Sequence, residues 1–312
     1  MNNDIKKTTV IGMGALGMLY ASQISTVFGP DSVCFLADQQ RIDRYQKTTF
    51  TINGTPWSFL MEAPENAGPA DLIIIAVKYN ALPSALDIMS SSVGPDTTII
   101  SVMNGIDSEG ITGERYGDEK VLYCIAQGMD AMKFGTDLTY TRSGELCLGT
   151  RIKGQENRLN ALTRYFDSAK IKYRTESDFL KRLWGKFMLN VGINQTCMAY
   201  EANYAQVLTP GTLYDTLVGA MKEVILLAEK EGIILAEDDL ESYIELLRTL
   251  SPEGVPSMRQ DGIAHRPSEV EMFSGTVRRL AARHGLPVPV NDMLYEKIKE
   301  MEFSYIDINQ LK

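Results

Sequence analysis

Six residues near the start of the chain, Gly12-Met13-Gly14-Ala15-Leu16-Gly17, restrict the fold more than any other stretch. They read GxGxxG and stand directly between the β-branched run Thr8-Thr9-Val10-Ile11 and the helix-like run ALGMLYASQIS. With this spacing at a strand-to-helix turn, Gly12 allows the tight turn, Gly14 lets a ligand approach the backbone, and Gly17 lets helix and strand pack closely. The amides at the start of the helix then favour an anion, and a pyrophosphate suits that end. Glycines that merely pack a βα turn would show the same spacing. The flanking strand and helix are nevertheless the context a dinucleotide fingerprint requires.

The rest of the first half keeps to this pattern. Short apolar runs (TTVIG, VCFLA, DLIIIAV, TTIISVMN, VLYCIAQG) alternate with helical stretches, the signature of a parallel sheet with crossover helices. Two interruptions look like hairpins appended to that sheet: FTINGTPWSFLM with an Asn53-Gly54 turn, and TYTRSGELCLG with a Ser143-Gly144 turn. Beyond about residue 177 strands give way to long helical patterns such as TLYDTLVGAMKEVILLAEKEG and SEVEMFSGTVRRLAARHG. A chain of 312 residues is long enough for two cores. The expected fold is α/β: a Rossmann-type doubly wound sheet over residues 1–177, followed by an all-α domain over 178–312, with a substrate cleft between them.

Composition narrows the partners. A net charge of -9 and a pI near 5.0 argue against a broad grip on nucleic acid or an anionic membrane, so a small molecule is the expected ligand. The cysteines at 34, 124, 147 and 197 form no CxxC pair and sit in apolar contexts, which reads as buried thiols in a reducing compartment. With His265 and His284 the only histidines and no HExxH, no dedicated metal site is expected. The start MNNDIKKTTVIG enters a strand at once, leaving no room for a signal peptide, and no run reaches the length of a membrane span; a cytoplasmic protein is the expectation. Apolar helical faces serve an internal core and a homodimer contact equally well.

Polar residues follow several strand-like runs, where ligands of doubly wound sheets bind. Asp38, after the second, is placed to hold an adenine ribose hydroxyl and repel a 2′-phosphate, while Arg41 is placed to pair with that phosphate. Capping of the next helix would also explain Asp38. Lys78 follows DLIIIAV, and Asn104-Gly105 follows TTIISVM. In the second half, LWGKFMLNVGINQTCMAY sets Lys186, Asn190 and Asn194 at i, i+4 and i+8, one stripe of an otherwise apolar helix. Such a stripe faces either solvent or a cavity.

The motifs GMGALG, Val77-Lys78, Asn104-Gly105, KFMLNVGIN, PSMRQD and RPSEVEMFSG span nearly the whole chain, and in them it resembles the ketopantoate reductases. The resemblance implies an oxidoreductase that reduces ketopantoate to pantoate in pantothenate biosynthesis by hydride transfer from NADP(H). It implies Lys186 as the catalytic acid, Glu269 as support for that lysine and the substrate hydroxyl, Asn190 and Asn194 as substrate contacts, and Ser257 as the ligand of the carboxylate end. Lys78 and Asn104 would border the cofactor and substrate. Members that use NADPH commonly carry an arginine after the second strand; Ala37-Asp38 stands there in this chain and points to NAD(H). Relatives with an acidic residue at that place resemble NAD-dependent D-2-hydroxyacid dehydrogenases of the D-mandelate type.

Hydride delivery to a ketone builds charge on its oxygen, and a positioned ammonium stabilises that charge and donates the proton. A third reading, a non-catalytic NAD(P)-sensing protein, has no use for such a lysine. Glu269 also suits the first turn of a helix, and Ser257 a helix cap.

Overall fold

The structure is a computed structural model and describes residues 4–310. It forms two compact units, divided between Phe179 and Leu180. In chain order the first unit contains β1 (Thr8–Ile11), α1 (Ala15–Phe28), β2 (Val33–Leu36), α2 (Gln39–Gln46), β3 (Phe50–Ile52), β4 (Thr55–Trp57), β5 (Leu60–Glu62), β6 (Ala70–Ile75) and α3 (Leu82–Ile88). It continues with β7 (Val93–Ser101), α4 (Ser108–Tyr116), β8 (Tyr123–Met129), β9 (Met132–Phe134), β10 (Asp137–Thr139), β11 (Ser143–Gly149), α5 (Glu156–Ala169) and β12 (Tyr173–Thr175).

Five strands make one parallel sheet in the order β5-β2-β1-β6-β7. Numbered along the chain these are strands 3-2-1-4-5, the doubly wound order, with its switch point between β1 and β6. All four residues of β1 are buried, as are Leu72–Ile75 of β6, because both sheet faces are covered and no alternation of exposure survives. Val10, Phe35, Leu72 and Ile74 pack on one side with Met18 and Leu19 of α1 and Phe166 of α5. Their neighbours Ile11, Leu36, Ile73 and Ile75 pack on the other with Leu82 and Leu86 of α3. Each fully buried side chain of this size contributes roughly 1.5–3 kcal/mol.

Three sequence expectations are corrected. The run VLYCIAQG forms β8, which pairs antiparallel with β11 in a separate three-stranded sheet; only an isolated Ile99–Val121 bridge joins its start to β7. Ser143-Gly144 is not a hairpin turn but the start of β11, and the turn lies between β9 and β10, where Gly135 has a φ of 58°. Gly144 lies within an unbroken register, since Ser143 opposes Met129 and Glu145 opposes Gln127, yet it has a φ of 68° and Gly128 on the facing strand one of 73°. A Cβ there would stand 2.3 Å from the Gln127 carbonyl oxygen. The Asn53-Gly54 hairpin forms as expected, with φ of 48° and 79° at its two central residues. It joins β9 and β10 in a four-stranded sheet of its own, not the parallel one.

The second unit is helical: α6 (Phe179–Ala199, its first residue in the first unit), α7 (Tyr204–Leu208), α8 (Thr212–Lys230), α9 (Glu237–Arg248), α10 (Ser257–Ile263), α11 (Thr276–His284) and α12 (Pro289–Gln310). A single π-helical turn, Glu271–Gly275, leads into α11. The α6 helix is the centre of this unit, with every residue from 191 to 199 buried. Glycines admit its neighbours. A Cβ on Gly185 would lie 2.5 Å from the Tyr243 hydroxyl of α9, and one on Gly192 would lie 2.6 Å from Met221 of α8.

Among the described residues no helix is long and apolar enough to cross a membrane. All four cysteines are buried, and burial pushes the Cys34 thiol up to about 11 and that of Cys197 up to about 12.

Candidate active site

In the first unit the site is made of backbone. Gly12 ends β1 with a φ of 103°, and a Cβ on it would stand 2.5 Å from the Ala76 carbonyl oxygen. A Cβ on Gly17 would stand 2.0 Å from the Gly12 carbonyl oxygen, so only glycine lets α1 lie this close to the loop. Gly14 differs. Its φ of -81° suits any residue, and the nearest atom to a Cβ is 3.6 Å away. Nothing inside the fold requires a glycine at this position. It is the N-cap of α1, and no side chain caps the helix there. A helix start with uncapped amides and a glycine that the fold itself does not demand fits a pyrophosphate, which needs both amide donors and room. Met13, Ala15 and Leu16 are partly buried and pack against the core beneath.

Lys78 and Asn104 follow β6 and β7, which succeed β1 across the sheet, so glycine loop, lysine and asparagine border the carboxyl ends of adjacent strands. Lys78 is exposed and opens a single 3-10 turn, Tyr79–Ala81. Asn104 is half-buried, and Gly105 after it has a φ of 88°. The Tyr79 hydroxyl donates to Asp107 Oδ2 at 3.3 Å and so ties one loop to the other. Asp38 caps α2: its Oδ1 accepts the Arg41 amide at 2.8 Å, and its Oδ2 lies 3.3 Å from Arg41 Nε. The helix cap and the acidic strand end are thus the same residue, already paired with the one arginine proposed for a phosphate.

Behind the Asn104 loop lies a buried acid that no sequence motif marks. Glu109 is buried, and Ser108 Oγ donates to its Oε2 at 2.9 Å. Ser108 and Ser101 hydroxyls are 2.8 Å apart, and the Met103 amide donates to Ser101 Oγ at 3.3 Å. Burial pushes the Glu109 carboxyl up to about 7, against the pull of the Ser108 hydroxyl and the Arg151 charge. An acid in the first turn of α4, within DSEGITG, has the sequence signature of an ordinary helix start and so does not stand out.

In the second unit the site is made of side chains. On α6 the partly open positions are 181, 182, 186, 189 and 190, and apart from the exposed Leu180 the rest of the helix is buried. Lys186 and Asn190 belong to that strip; Asn194, one turn on, is only 5% exposed. Asn194 Nδ2 donates to Asn190 Oδ1 at 3.3 Å, while its Oδ1 accepts Ser257 Oγ and the Met258 amide, each at 3.3 Å. The structure therefore brings Asn190, Asn194 and Ser257 together. Ser257 is the first residue of α10, not its cap, a place Pro256 takes.

Glu269 is half-buried and precedes the π-helical turn, its carbonyl accepting the Met272 and Phe273 amides at 3.0 and 3.2 Å. The ordinary α-helical first turn expected there is thus a wider one. His265 stacks on Tyr305 at 4.9 Å, and His284 pairs with Glu231.

Residues 8–149 match the family described as ketopantoate reductase PanE/ApbA, and residues 178–302 match its C-terminal counterpart. The chain belongs to the ketopantoate reductase family. As a member it is an oxidoreductase with a Rossmann-type nicotinamide dinucleotide domain and a helical domain. The 2-dehydropantoate 2-reductase of Salmonella typhi is 24% identical over 304 residues, covering 96% of each chain. Among solved structures, a ternary complex of D-mandelate dehydrogenase with NADH and anilino(oxo)acetate superposes with a TM-score of 0.83 at 21% identity, over 96% of this chain and 99% of that one. The dimeric ketopantoate reductase of Staphylococcus aureus superposes with a TM-score of 0.77 at 22% identity, with the same coverage. These likenesses establish the fold.

Proposed function

We propose that this ketopantoate reductase family member reduces the 2-keto group of 2-dehydropantoate, with Lys186 supplying the proton. The observation that carries the reading is the α6 strip: Lys186 and Asn190 among the five partly open positions of a largely buried helix, continued by Asn194 and Ser257. The amides at the start of α1 would hold the pyrophosphate of the dinucleotide, with Lys78 and Asn104 at the neighbouring strand ends available to the cofactor and substrate. Bound reduced nicotinamide supplies the hydride to the keto carbon.

The ammonium of Lys186 hydrogen-bonds the carbonyl oxygen, stabilises the charge that grows on it and transfers a proton, leaving the 2-hydroxy acid. Asn190 and Ser257 orient the substrate, Ser257 at its carboxylate end, and Glu269 supports the lysine and the new hydroxyl. Asn194, whose oxygen is engaged by α10, holds Asn190 and Ser257 in place as well as bordering the substrate.

One observation favours a second reading, an NADH-dependent D-2-hydroxyacid dehydrogenase. Asp38 stands at the end of β2 with its carboxylate on Arg41, so a 2′-phosphate there would meet an anion and would have to compete for the arginine. The structural relative that holds NADH supports the same choice of cofactor. Initial rates of nicotinamide oxidation with 2-dehydropantoate, benzoylformate and branched 2-keto acids, each with NADH and NADPH, separate the readings. A higher kcat/KM on 2-dehydropantoate supports the first and a higher value on benzoylformate the second. Binding of the dinucleotide without reduction of any acid would overturn both.

A further inference from the structure

The second unit contains a buried polar network that none of the site residues explains. Gln195 follows Asn194 on α6 and is fully buried, as are Ser274 in the π-helical turn and Asn291 on α12. Gln195 Nε2 donates to the Val191 carbonyl at 2.9 Å and to Asn291 Oδ1 at 3.2 Å, and its Oε1 accepts the Ser274 amide at 3.0 Å. Ser274 Oγ donates to the same Asn291 oxygen at 3.1 Å. Asn291 Nδ2 donates in turn to Glu223 Oε2 of α8 at 2.8 Å, and that carboxylate also accepts the Val290 and Asn291 amides. The amide of Gln195 is therefore fully used, with one orientation satisfying every partner. Networks satisfied in this way fix geometry more than they add stability.

The π-helical turn is the feature this network holds. In an ordinary α-turn the Val270 carbonyl would accept the Ser274 amide. Here it accepts the Gly275 amide instead, at 2.9 Å, one residue further on, and the Ser274 amide reaches Gln195. A π-turn holds one residue more than an α-turn. Its collapse would rotate the preceding residues by about 100° about the helix axis and move them by about 1.5 Å along it. The nearest titratable residue before the turn is Glu269. On its other side Ser268 is fixed as well, its amide donating to Glu302 Oε1 at 2.6 Å and its Oγ accepting the Val270 amide at 3.2 Å.

We propose that Gln195 is a positioning residue of the reaction: by accepting the Ser274 amide it keeps the turn in its π form and so sets where Glu269 stands relative to the helix that carries Lys186. This rests on the roles proposed above for Lys186 and Glu269. Glu269 acts on the reacting groups, whereas Gln195 is sealed from them and acts only through the turn. Misplacement of a catalytic group by about 1 Å can cost about a hundredfold in rate, so loss of one hydrogen bond here reads out in turnover.

The test compares kcat and melting temperature in the full-length enzyme. Gln195→Met, similar in shape and without the acceptor, lowers kcat at least tenfold and leaves dinucleotide affinity unchanged. Gln195→Glu keeps an oxygen for the Ser274 amide and loses the donors to Val191 and Asn291; it melts lower yet recovers most of kcat. Ser274→Ala retains the amide and hence kcat. In a Glu269→Gln background, Gln195→Met causes no further loss of kcat.

If Gln195→Met fails to fold, Gln195→Asn, too short by one methylene to reach Ser274, carries the same expected loss. A merely structural role predicts kcat unchanged in every folded variant, and that result overturns the proposal while the proposed chemistry stands. An equal loss in the Glu269→Gln background also overturns it. If Glu269→Gln by itself leaves kcat intact, the role of Glu269 falls, and with it this inference.

Discussion

The glycine loop of the first unit and the α6 strip of the second are sites of opposite construction. The loop works by what is missing: Gly12 and Gly17 lack side chains because backbone oxygens stand 2.5 and 2.0 Å from where a Cβ would be, and Gly14 lacks one although the fold leaves room. The strip works by what is present, a lysine and asparagines on a helix whose remaining faces are filled. A site of the first kind is damaged by adding atoms and one of the second by removing them. The tolerance of each position to substitution therefore shows which kind it belongs to.

The largest expected effect is at the strip. Lys186→Ala lowers kcat by about a hundredfold or more, the scale of a lost general acid, while dinucleotide affinity measured by fluorescence titration stays unchanged. Near-normal turnover would erase the distinction between the two sites. Next comes the charge beneath the Asn104 loop. The folded Glu109 carboxyl titrates near 7 against an ordinary 4.5, so folding favours its protonated form. The stabilisation is fully present below the unfolded value and is lost as pH rises toward and through 7, by about 3 kcal/mol in all. Denaturant unfolding across that range should show wild-type stability falling relative to Glu109→Gln; parallel curves would mean that the buried acid is ionised throughout.

Smaller effects sharpen the contrast inside each site. Gly17→Ala should destabilise the first unit by roughly 1–3 kcal/mol or more, since its Cβ overlaps a carbonyl. Gly14→Ala should instead keep its melting temperature and lose about tenfold or more in dinucleotide affinity, on the order of 1.4 kcal/mol. Equal melting losses would make both glycines structural. Within the strip, Asn194→Ala strands the Ser257 hydroxyl and the Met258 amide and should cost roughly 1–3 kcal/mol of stability besides raising KM. Asn190→Ala should chiefly raise KM, by the roughly 0.5–1.5 kcal/mol of one neutral hydrogen bond. If Asn190→Ala proves the more destabilising variant, the partner assignment along the strip is reversed.

What the sequence revealed follows from how strongly each feature is patterned. GMGALG could be placed because strand, turn and helix each leave a local signature, and the parallel strands because continuous β-branched runs need cover on both faces. The α6 strip could be placed because Lys186, Asn190 and Asn194 keep helical spacing among apolar residues. Pairing partners could not: VLYCIAQG is an apolar run like its predecessors, and nothing local shows that it turns away to pair with β11. Ser143-Gly144 suggests a turn because a glycine at positive φ has the same sequence signature in a turn and inside a paired strand. The π-turn after Glu269 was invisible, since one extra residue in a single turn leaves the apolar spacing of α11 intact. Gln195 stood in plain view beside Asn194, but its meaning depends on Ser274 and Asn291, 79 and 96 residues away.

The buried thiols turn the chain into its own reporter. Cys34 and Cys197 are buried, and that burial also raises their thiols above the usual range, so an alkylating reagent reaches and reacts with them only when the surrounding structure opens. Cys34, Cys124 and Cys147 report on the first unit and Cys197 on the second. Labelling followed by peptide mass analysis therefore times the opening of each unit separately, from the unmodified wild-type chain and without any added probe.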